Sequence, residues 1–435
     1  MKELRTDVCV VGAGAAGMSA AWSAARAGAS VLLIERYGFL GGMGTAAMMG
    51  TFCGLYTSGP FPQPVPAGFG WTVVRYLLSQ RAAYRSRFDR TFLVHYDPDV
   101  LKVIYDCLAE EAGVKVLLHS LCSHAEARNG AIEWIRVETR GEPLCIRARV
   151  YIDCSGDAEL FYRAGAPVEL GNEHGRVQPA SAIFRMSNVD LVAASSVSRQ
   201  QLNALMRSDF EGGMWPLGRL SGSFYPTTNP TEVVVNMTRI IVNGVDAEDL
   251  SRGEREGRRQ IQLYARWLRE RVCGFSDSFI SAIGVQLGLR ETRRIVPQRW
   301  LTARDLRSGF CSDQDLGAGA WPFEMHDPEG VGTHTEWLPD GTLYYIPLSA
   351  VTSPHLSNAL SAGRCIGASP EAHASTRVMG TCFSLGEAVG TLAADAAKRT
   401  SDQLWRVGSL DALHRFRENS LVPESEWPEV PRGVV

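Results

Sequence analysis

The sequence predicts an α/β chain with a Rossmann-like strand–turn–helix–strand unit at its start and a differently patterned middle. Three observations predict it. A strand, a glycine-rich turn, a helix, a second strand and an acid follow one another within the first 35 residues. A second strand and glycine turn lie far away, at 358–367. Between them, from about 165 to 339, the pattern changes to mixed strands and longer helices. A chain of 435 residues has room for two lobes or one large α/β domain. Its 45% hydrophobic and 21% charged residues exclude wholesale disorder.

The first unit carries the most information. Asp7-Val8-Cys9-Val10-Val11 reads as a short buried strand, and Gly12-Ala13-Gly14-Ala15-Ala16-Gly17 as a G-x-G-x-x-G turn. Residues 16–27 form an alanine-rich helix closed by Gly28; Ser30-Val31-Leu32-Leu33-Ile34 is a second strand ending at Glu35. In that order these parts make a Rossmann-like dinucleotide-binding unit. Gly12 permits the tight turn. Gly14 lets backbone approach a pyrophosphate above Ala15 and Ala16, and Gly17 lets helix and strand pack closely. The pyrophosphate takes the positive helix end, and Glu35 takes the ribose hydroxyls.

NAD and FAD both use this unit, and the residues after it point to FAD. Arg36 is followed by Leu40-Gly41-Gly42-Met43-Gly44-Thr45. A second glycine loop here suits a cofactor that continues beyond its pyrophosphate; an ordinary flexible loop is the alternative. Val150-Tyr151-Ile152-Asp153-Cys154-Ser155-Gly156-Asp157 is a strand ending in a small turn. Ala362-Gly363-Arg364 is another, followed by Arg377-Val378-Met379-Gly380-Thr381 and a helix over 384–397. Free amides at Gly380 and Thr381 would suit the flavin N1–C2=O edge, although a plain core helix fits equally well.

With these blocks in order, the sequence resembles the FAD-dependent oxidoreductase family of the glutathione-reductase-like flavoprotein superfamily. The likeness runs through 12–35, Leu40-Gly41-Gly42, His95-Tyr96-Asp97-Pro98-Asp99-Val100-Leu101-Lys102 and Ile152-Asp153-Cys154-Ser155-Gly156-Asp157. It continues through Asn236-Met237-Thr238-Arg239, Gly288-Leu289-Arg290-Glu291-Thr292-Arg293-Arg294-Ile295, Ala362-Gly363-Arg364 and Ser375-Thr376-Arg377-Val378-Met379. The resemblance implies non-covalent FAD held by a Rossmann-like domain of the glutathione-reductase type (three-layer ββα) with an inserted α+β substrate domain. The expected division is 1–165 and 340–420 for the FAD-binding domain, 166–339 for the substrate-binding cap and 421–435 for a tail. The resemblance also places Leu121 and Cys122 where backbone meets the adenine.

Within the first segment, the proline-rich stretch 59–70 reads as a loop or lid and 73–83 and 100–112 as helices. Strands are expected over 114–118, 122–127, 132–139 and 146–152, with Asn129-Gly130 as a hairpin turn. In the lobe, 254–271 reads as a charged amphipathic helix.

A net charge of −3 gives no electrostatic footprint for nucleic acid or an anionic membrane. Lysine occurs only at 2, 102, 115 and 398, a skew read as genome composition. The ten cysteines are scattered, without CxxC or zinc-ligand spacing. Several, such as Cys9, Cys107 and Cys154, sit in apolar stretches as small core residues. No disulfides and no metal site are expected, and the charged start does not read as a signal peptide. The expected location is cytoplasmic, and the oligomeric state is open.

The expected function is removal of two electrons from a small organic substrate, by transfer of a hydride to flavin N5, with O2 or another acceptor reoxidising the flavin. No second complete G-x-G-x-x-G unit exists for NAD(P)H. A flavin-dependent monooxygenase using NAD(P)H and O2 is the alternative, against which Ser155-Gly156-Asp157 and Gly363-Arg364-Cys365 depart from the hydroxylase motifs. A protein with FAD as a structural ligand is a third reading. Candidate catalytic residues are Arg290 and Glu291, which with Arg293 could clamp a carboxylate or form a salt-bridge network. His326 and His373 are candidate bases, Tyr345 a pocket residue, and Arg377 a holder of substrate or flavin.

Overall fold

The computed structural model describes residues 1–309, 315–328, 332–399, 422 and 424–428. A seven-stranded sheet organises them. Its order is Lys115–Leu117, Val31–Ile34, Lys2–Val11, Leu144–Asp153, Ala131–Glu138, Leu121–Arg128, with Ala359–Ser361 pairing the end of Leu144–Asp153. The first four strands and Ala359–Ser361 pair in parallel, the last two antiparallel.

Alternation along the strands builds two cores. Val8, Val10, Val31, Leu33, Val150 and Ile152 face the helices Ala15–Arg26 and Met379–Ala396. Cys9, Val11, Leu32, Ile34 and Tyr151 face the opposite side, with Ile135 and Val137 of the antiparallel strands. The two helices nearly touch backbone to backbone. A Cβ at Gly386 would lie 2.3 Å from the Ala16 carbonyl oxygen, and one at Gly390 2.1 Å from that of Ala20. Ser19 Oγ donates to Phe383 O across this contact, 2.7 Å.

Residues 68–79 form the helix expected over 73–83, but it ends early. Arg81 adopts φ 54°, turning the chain into an antiparallel hairpin, Ala83–Phe88 with Thr91–Tyr96. The next helix, Pro98–Glu111, starts where Asp97 accepts the Asp99 and Val100 amides and Pro98 needs no partner. Cys107 is exposed on this helix rather than in the core. Asn129 and Gly130 both have positive φ, as a tight hairpin requires.

The inserted lobe has its own sheet, ordered Ser223–Pro226, Glu232–Asn236, Phe184–Ser187, Phe279–Ile283, all antiparallel. The long helix Ala247–Arg271 supplies Ile261, Tyr264, Trp267 and Leu268 to its core. Leu306, Leu316, Phe323 and Leu338, although within 166–339, pack in the core of the nucleotide-binding half. Strand Asp315–Gly319 pairs with Tyr344–Pro347, and Ala318 N donates to Ser384 Oγ, 2.9 Å. Residues 400–420 and most of 421–435 lie outside the described residues; Val422 is buried in the same core. No described helix is long and apolar enough to cross a membrane.

Candidate active site

One cavity of about 470 Å³ runs between the carboxyl ends of the parallel strands and the inserted lobe. Its nucleotide end is lined by Gly12, Gly14, Ala15, Ala16, Glu35, Arg36, Gly41 to Gly44, Leu121, Cys122, Ser155, Gly156, Asp157, Gly363 and Arg364. Gly12 turns at φ 95°, where a Cβ would strike the Cys154 carbonyl. Gly14 differs: a Cβ there would meet nothing closer than Gly42 Cα at 4.0 Å, so the space it leaves belongs to the cavity. Gly14 caps the helix without a side-chain bond, leaving first-turn amides free for an anion. Glu35 is 4% exposed; its Oε2 accepts the Ala13 amide at 2.8 Å and its Oε1 the Tyr37 amide at 2.9 Å. Burial raises its pKa, against the pull of those amides and of Arg36.

Charges at this end are matched. Asp157 Oδ1 accepts from Arg364 Nη2 and from Thr292 Oγ1, each at 2.8 Å, and Oδ2 lies 3.7 Å from Arg36 Nη1. Arg364 also donates to the Leu289 carbonyl, 2.9 Å.

The other end is a chamber lined by Arg219, Arg290, Arg377, Glu324, His326 and Trp321, with Ser86, His95, Tyr225 and Asn236. Arg290 donates to Pro179 O at 2.5 Å and Ser181 Oγ at 3.0 Å. Arg377 donates to the Glu324 carbonyl at 3.3 Å, and its buried Nε has no partner. Arg219 reaches Asn236 Oδ1 at 3.5 Å. Burial pulls Arg219 down to about 10 and, with the fields of Arg377 and Arg219, Arg290 well below its usual value. Burial, then Arg290, Arg377 and Arg219, pushes His326 far below the ordinary histidine range, so it is neutral near pH 7. Its Nδ1 meets Thr333 Oγ1 at 3.0 Å, and its Nε2 is 3.9 Å from Glu324 Oε1. On the hairpin side, His95 Nε2 lies 2.7 Å from Ser86 Oγ and the ring stacks on Tyr84; burial holds His95 down to about 3.

A nucleotide cradle continuous with an arginine-lined chamber suits a flavin dinucleotide, and the sequence match decides the matter. The family model for FAD dependent oxidoreductases matches residues 7–408. The chain belongs to that family. FAD is the cofactor of this oxidoreductase, and the open space at Gly14 and the Glu35 carboxylate fit its pyrophosphate and ribose. A thiamine thiazole synthase of Aeropyrum pernix is 48% identical over 64 residues, 15% of this chain and 20% of that enzyme. A geranylgeranyl bacteriochlorophyll reductase-like protein from Thermoplasma acidophilum shares the fold at 13% identity and TM-score 0.50, covering 96% of this chain and 85% of that one. A flavin-dependent brominase gives 12% identity over 95% of this chain and 83% of that one, with TM-score 0.47. The likeness to the Thermoplasma acidophilum protein is one of fold alone and does not single out the glutathione-reductase type.

The flavoprotein departs from the sequence reading at several residues. Arg290 and His326 do line the chamber; Glu291, His373 and Tyr345 do not. The charged run 290–294 splits because only Arg293–Ile295 is strand and the irregular backbone before it sends neighbouring side chains to different surroundings. Arg290 faces the chamber. Glu291 pairs internally with Arg294 and accepts the Gln178 amide at 3.1 Å. Arg293 pairs with Glu159 at 2.5 Å. His373 is fully buried on the short helix Pro370–Thr376, with Nε2 against the Arg364 carbonyl at 2.9 Å. Tyr345 packs beside Val65 and Ala318, away from the cavity.

At the cofactor end, Gly17, Thr45, Gly380 and Thr381 lie behind the lining. A Cβ at Gly17 would sit 1.8 Å from the Gly12 carbonyl oxygen, so its work is close packing. Thr45 Oγ1 donates to Leu40 O, 2.8 Å. The Gly380 amide expected at the flavin donates to Cys53 O instead, 2.9 Å; Met379 and Arg377 line the cavity in its place. Arg219, Glu324, Ser86 and His95 went unremarked as site residues in the sequence. His95 lay in a block of the family resemblance and Glu324 two residues from His326, whereas Arg219 carries no local signal.

Proposed function

We propose that this enzyme dehydrogenates a small organic molecule held in the chamber, with O2 or another external acceptor taking the electrons. The observation that carries the reading is His326: a buried, neutral histidine inside a chamber continuous with the FAD cradle. Bound FAD supplies the two-electron acceptor. The protein's own residues do the rest. His326 takes the O–H or N–H proton of the substrate at a ring nitrogen, and Thr333 and the Gln178 side chain, which accepts the His326 amide at 3.2 Å, hold the ring in place. Arg290 and Arg377 orient the substrate, while Phe224, Tyr225 and Trp321 exclude water. Among the described residues no group of three or more His, Cys, Asp or Glu is placed to hold a metal. The antiparallel strands Ala131–Glu138 and Leu121–Arg128, which continue the parallel sheet at one edge, support a glutathione-reductase-type FAD domain within this family.

The test is anaerobic reduction of the purified holoprotein, followed in the visible flavin bands. Bleaching by organic compounds and not by NADH or NADPH is expected. Bleaching by NAD(P)H, stimulated by substrate and coupled to oxygen insertion, would establish the monooxygenase reading instead. Flavin that no compound reduces would leave FAD a structural ligand.

A further inference from the structure

We propose that the substrate is an amphipathic organic acid, bound with its carboxylate on Arg219, Arg290 and Arg377 and its apolar body against the inserted lobe. This deepens the dehydrogenase reading and rests on it. Three guanidinium groups line one end of the chamber, and the acid among them is Glu324 alone. None of the three has a carboxylate oxygen within 4 Å among the described residues, whereas Arg36, Arg293, Arg294 and Arg364 all do. Arg219 is 8% exposed, and the buried Nε of Arg377 has no acceptor. An unpaired buried charge is costly, and a buried charge is ordinarily paired. The missing partner is therefore an anion that enters the chamber.

The shape of the remaining wall gives the rest of the molecule. Ala194, Val197, Leu202 and Phe224 line the lobe side. They present no donor or acceptor side chain, and a small polar acid would leave that surface facing water. An aryl or alkyl body attached to the carboxylate covers it. Planar, forked guanidinium groups match a carboxylate better than any neutral isostere.

The test uses wild-type holoprotein and perturbation of the oxidised flavin spectrum, with calorimetry as a flavin-independent readout. The probes are benzoate and phenylacetate against benzamide and phenylacetamide, which keep the shape and lose the charge. Acids should bind at least 10-fold more tightly than amides, and added NaCl should weaken only the acids. In Arg219→Gln and Arg290→Gln the acids should lose at least 10-fold while amide affinity stays unchanged. Equal binding of acids and amides in the wild type overturns the proposal, whether or not either variant folds; that result would assign the arginines to the cofactor. The two readings separate cleanly. Acids that bind in the chamber, with no compound ever reducing the flavin, keep the ligand class and sink the dehydrogenase. Flavin reduced only by neutral compounds does the reverse.

Discussion

The two ends of the cavity both use arginine, and they use it in opposite ways. At the nucleotide end Arg364 and Arg36 share Asp157, which Thr292 also contacts. At the chamber end Arg219, Arg290 and Arg377 share no carboxylate within 4 Å among the described residues, and backbone carbonyls, Ser181 and Asn236 take their place. A matched end is self-sufficient: its geometry persists whether or not cofactor is present. An unmatched end holds charge in reserve for whatever binds. The difference teaches that fixed cofactor and exchanging substrate call for different electrostatics within one continuous space.

The largest effect expected is at Gly14. Gly14→Val places methyl groups in the only region its Cβ vector meets, the cavity itself. Flavin affinity should fall at least 100-fold, about 3 kcal/mol, with helix content and melting of the apoprotein nearly unchanged. Gly17→Ala should do the reverse. Its Cβ would collide with the Gly12 carbonyl, so the strand–helix contact itself must open. Flavin absorbance per protein and a thermal melt distinguish the two. A Gly14→Val protein with full flavin would remove the cradle from this end.

Charge removal should act with opposite sign at the two ends. Asp157→Ala strands Arg364 and Arg36 and should destabilise the apoprotein by about 3–5 kcal/mol. Arg219→Gln removes a charge that has no partner, so apoprotein stability should stay level or rise by up to about 1 kcal/mol. Denaturant unfolding of both apoproteins checks this. Equal destabilisation would mean that the chamber arginines are already compensated, and the contrast between the ends would fail.

That contrast also marks how far the sequence could be read. The unit 12–35 was legible because each residue's role is set locally: a turn, a close approach, a helix start, an acid after a strand. The alternation in strands Lys2–Val11 and Val31–Ile34 likewise names both cores. The chamber was only partly legible. Arg219, Arg290, Glu324 and Arg377 come from four separate segments, and nothing local to Arg219 says where its side chain goes. The pair Arg290 and Glu291 shows the limit most plainly, since neighbours in sequence face different surroundings, one the chamber and the other Arg294. His373 failed for a related reason: its short helix turns it inward onto the Arg364 carbonyl. The hairpin that brings Ser86 and His95 to the chamber lies between the expected helices 73–83 and 100–112, where the sequence reading assigned no element, and Arg81 turns the chain into it.

A pH profile sharpens the comparison further. Burial and the fields of Arg290, Arg377, Arg219 and Arg239 hold the His326 pKa below the ordinary histidine range in the free enzyme. The acid limb of kcat/KM should therefore lie below that range, with activity lost as falling pH protonates the ring. An anionic ligand cancels part of the arginine field, which favours the protonated ring. In kcat, which reports the complex, the limb should move to higher pH. His326→Gln should abolish the limb in both. A limb that stays put between kcat/KM and kcat would show that the ligand leaves the field unchanged, as a neutral substrate would.

The smallest effect belongs to the mouth. Arg199, exposed at the start of helix Arg199–Glu211 in the lobe, lies with its guanidinium 5.3 Å from the Phe88 ring on the hairpin of the nucleotide half. An exposed cation–π contact is worth about 0.5–1 kcal/mol. Arg199→Ala should therefore weaken phenylacetate binding by roughly 2–5-fold. The contact and the charge make separate contributions. If Arg199 draws the anion in by its charge, Arg199→Lys restores binding, and the gain disappears at high salt, where the screening length shrinks to a few ångströms. If it braces the lobe against Phe88 by its planar face, Phe88→Leu reproduces the loss, and salt leaves it untouched. The first outcome would extend the chamber's unmatched charge out to its entrance, and the second would confine that charge to the three buried arginines.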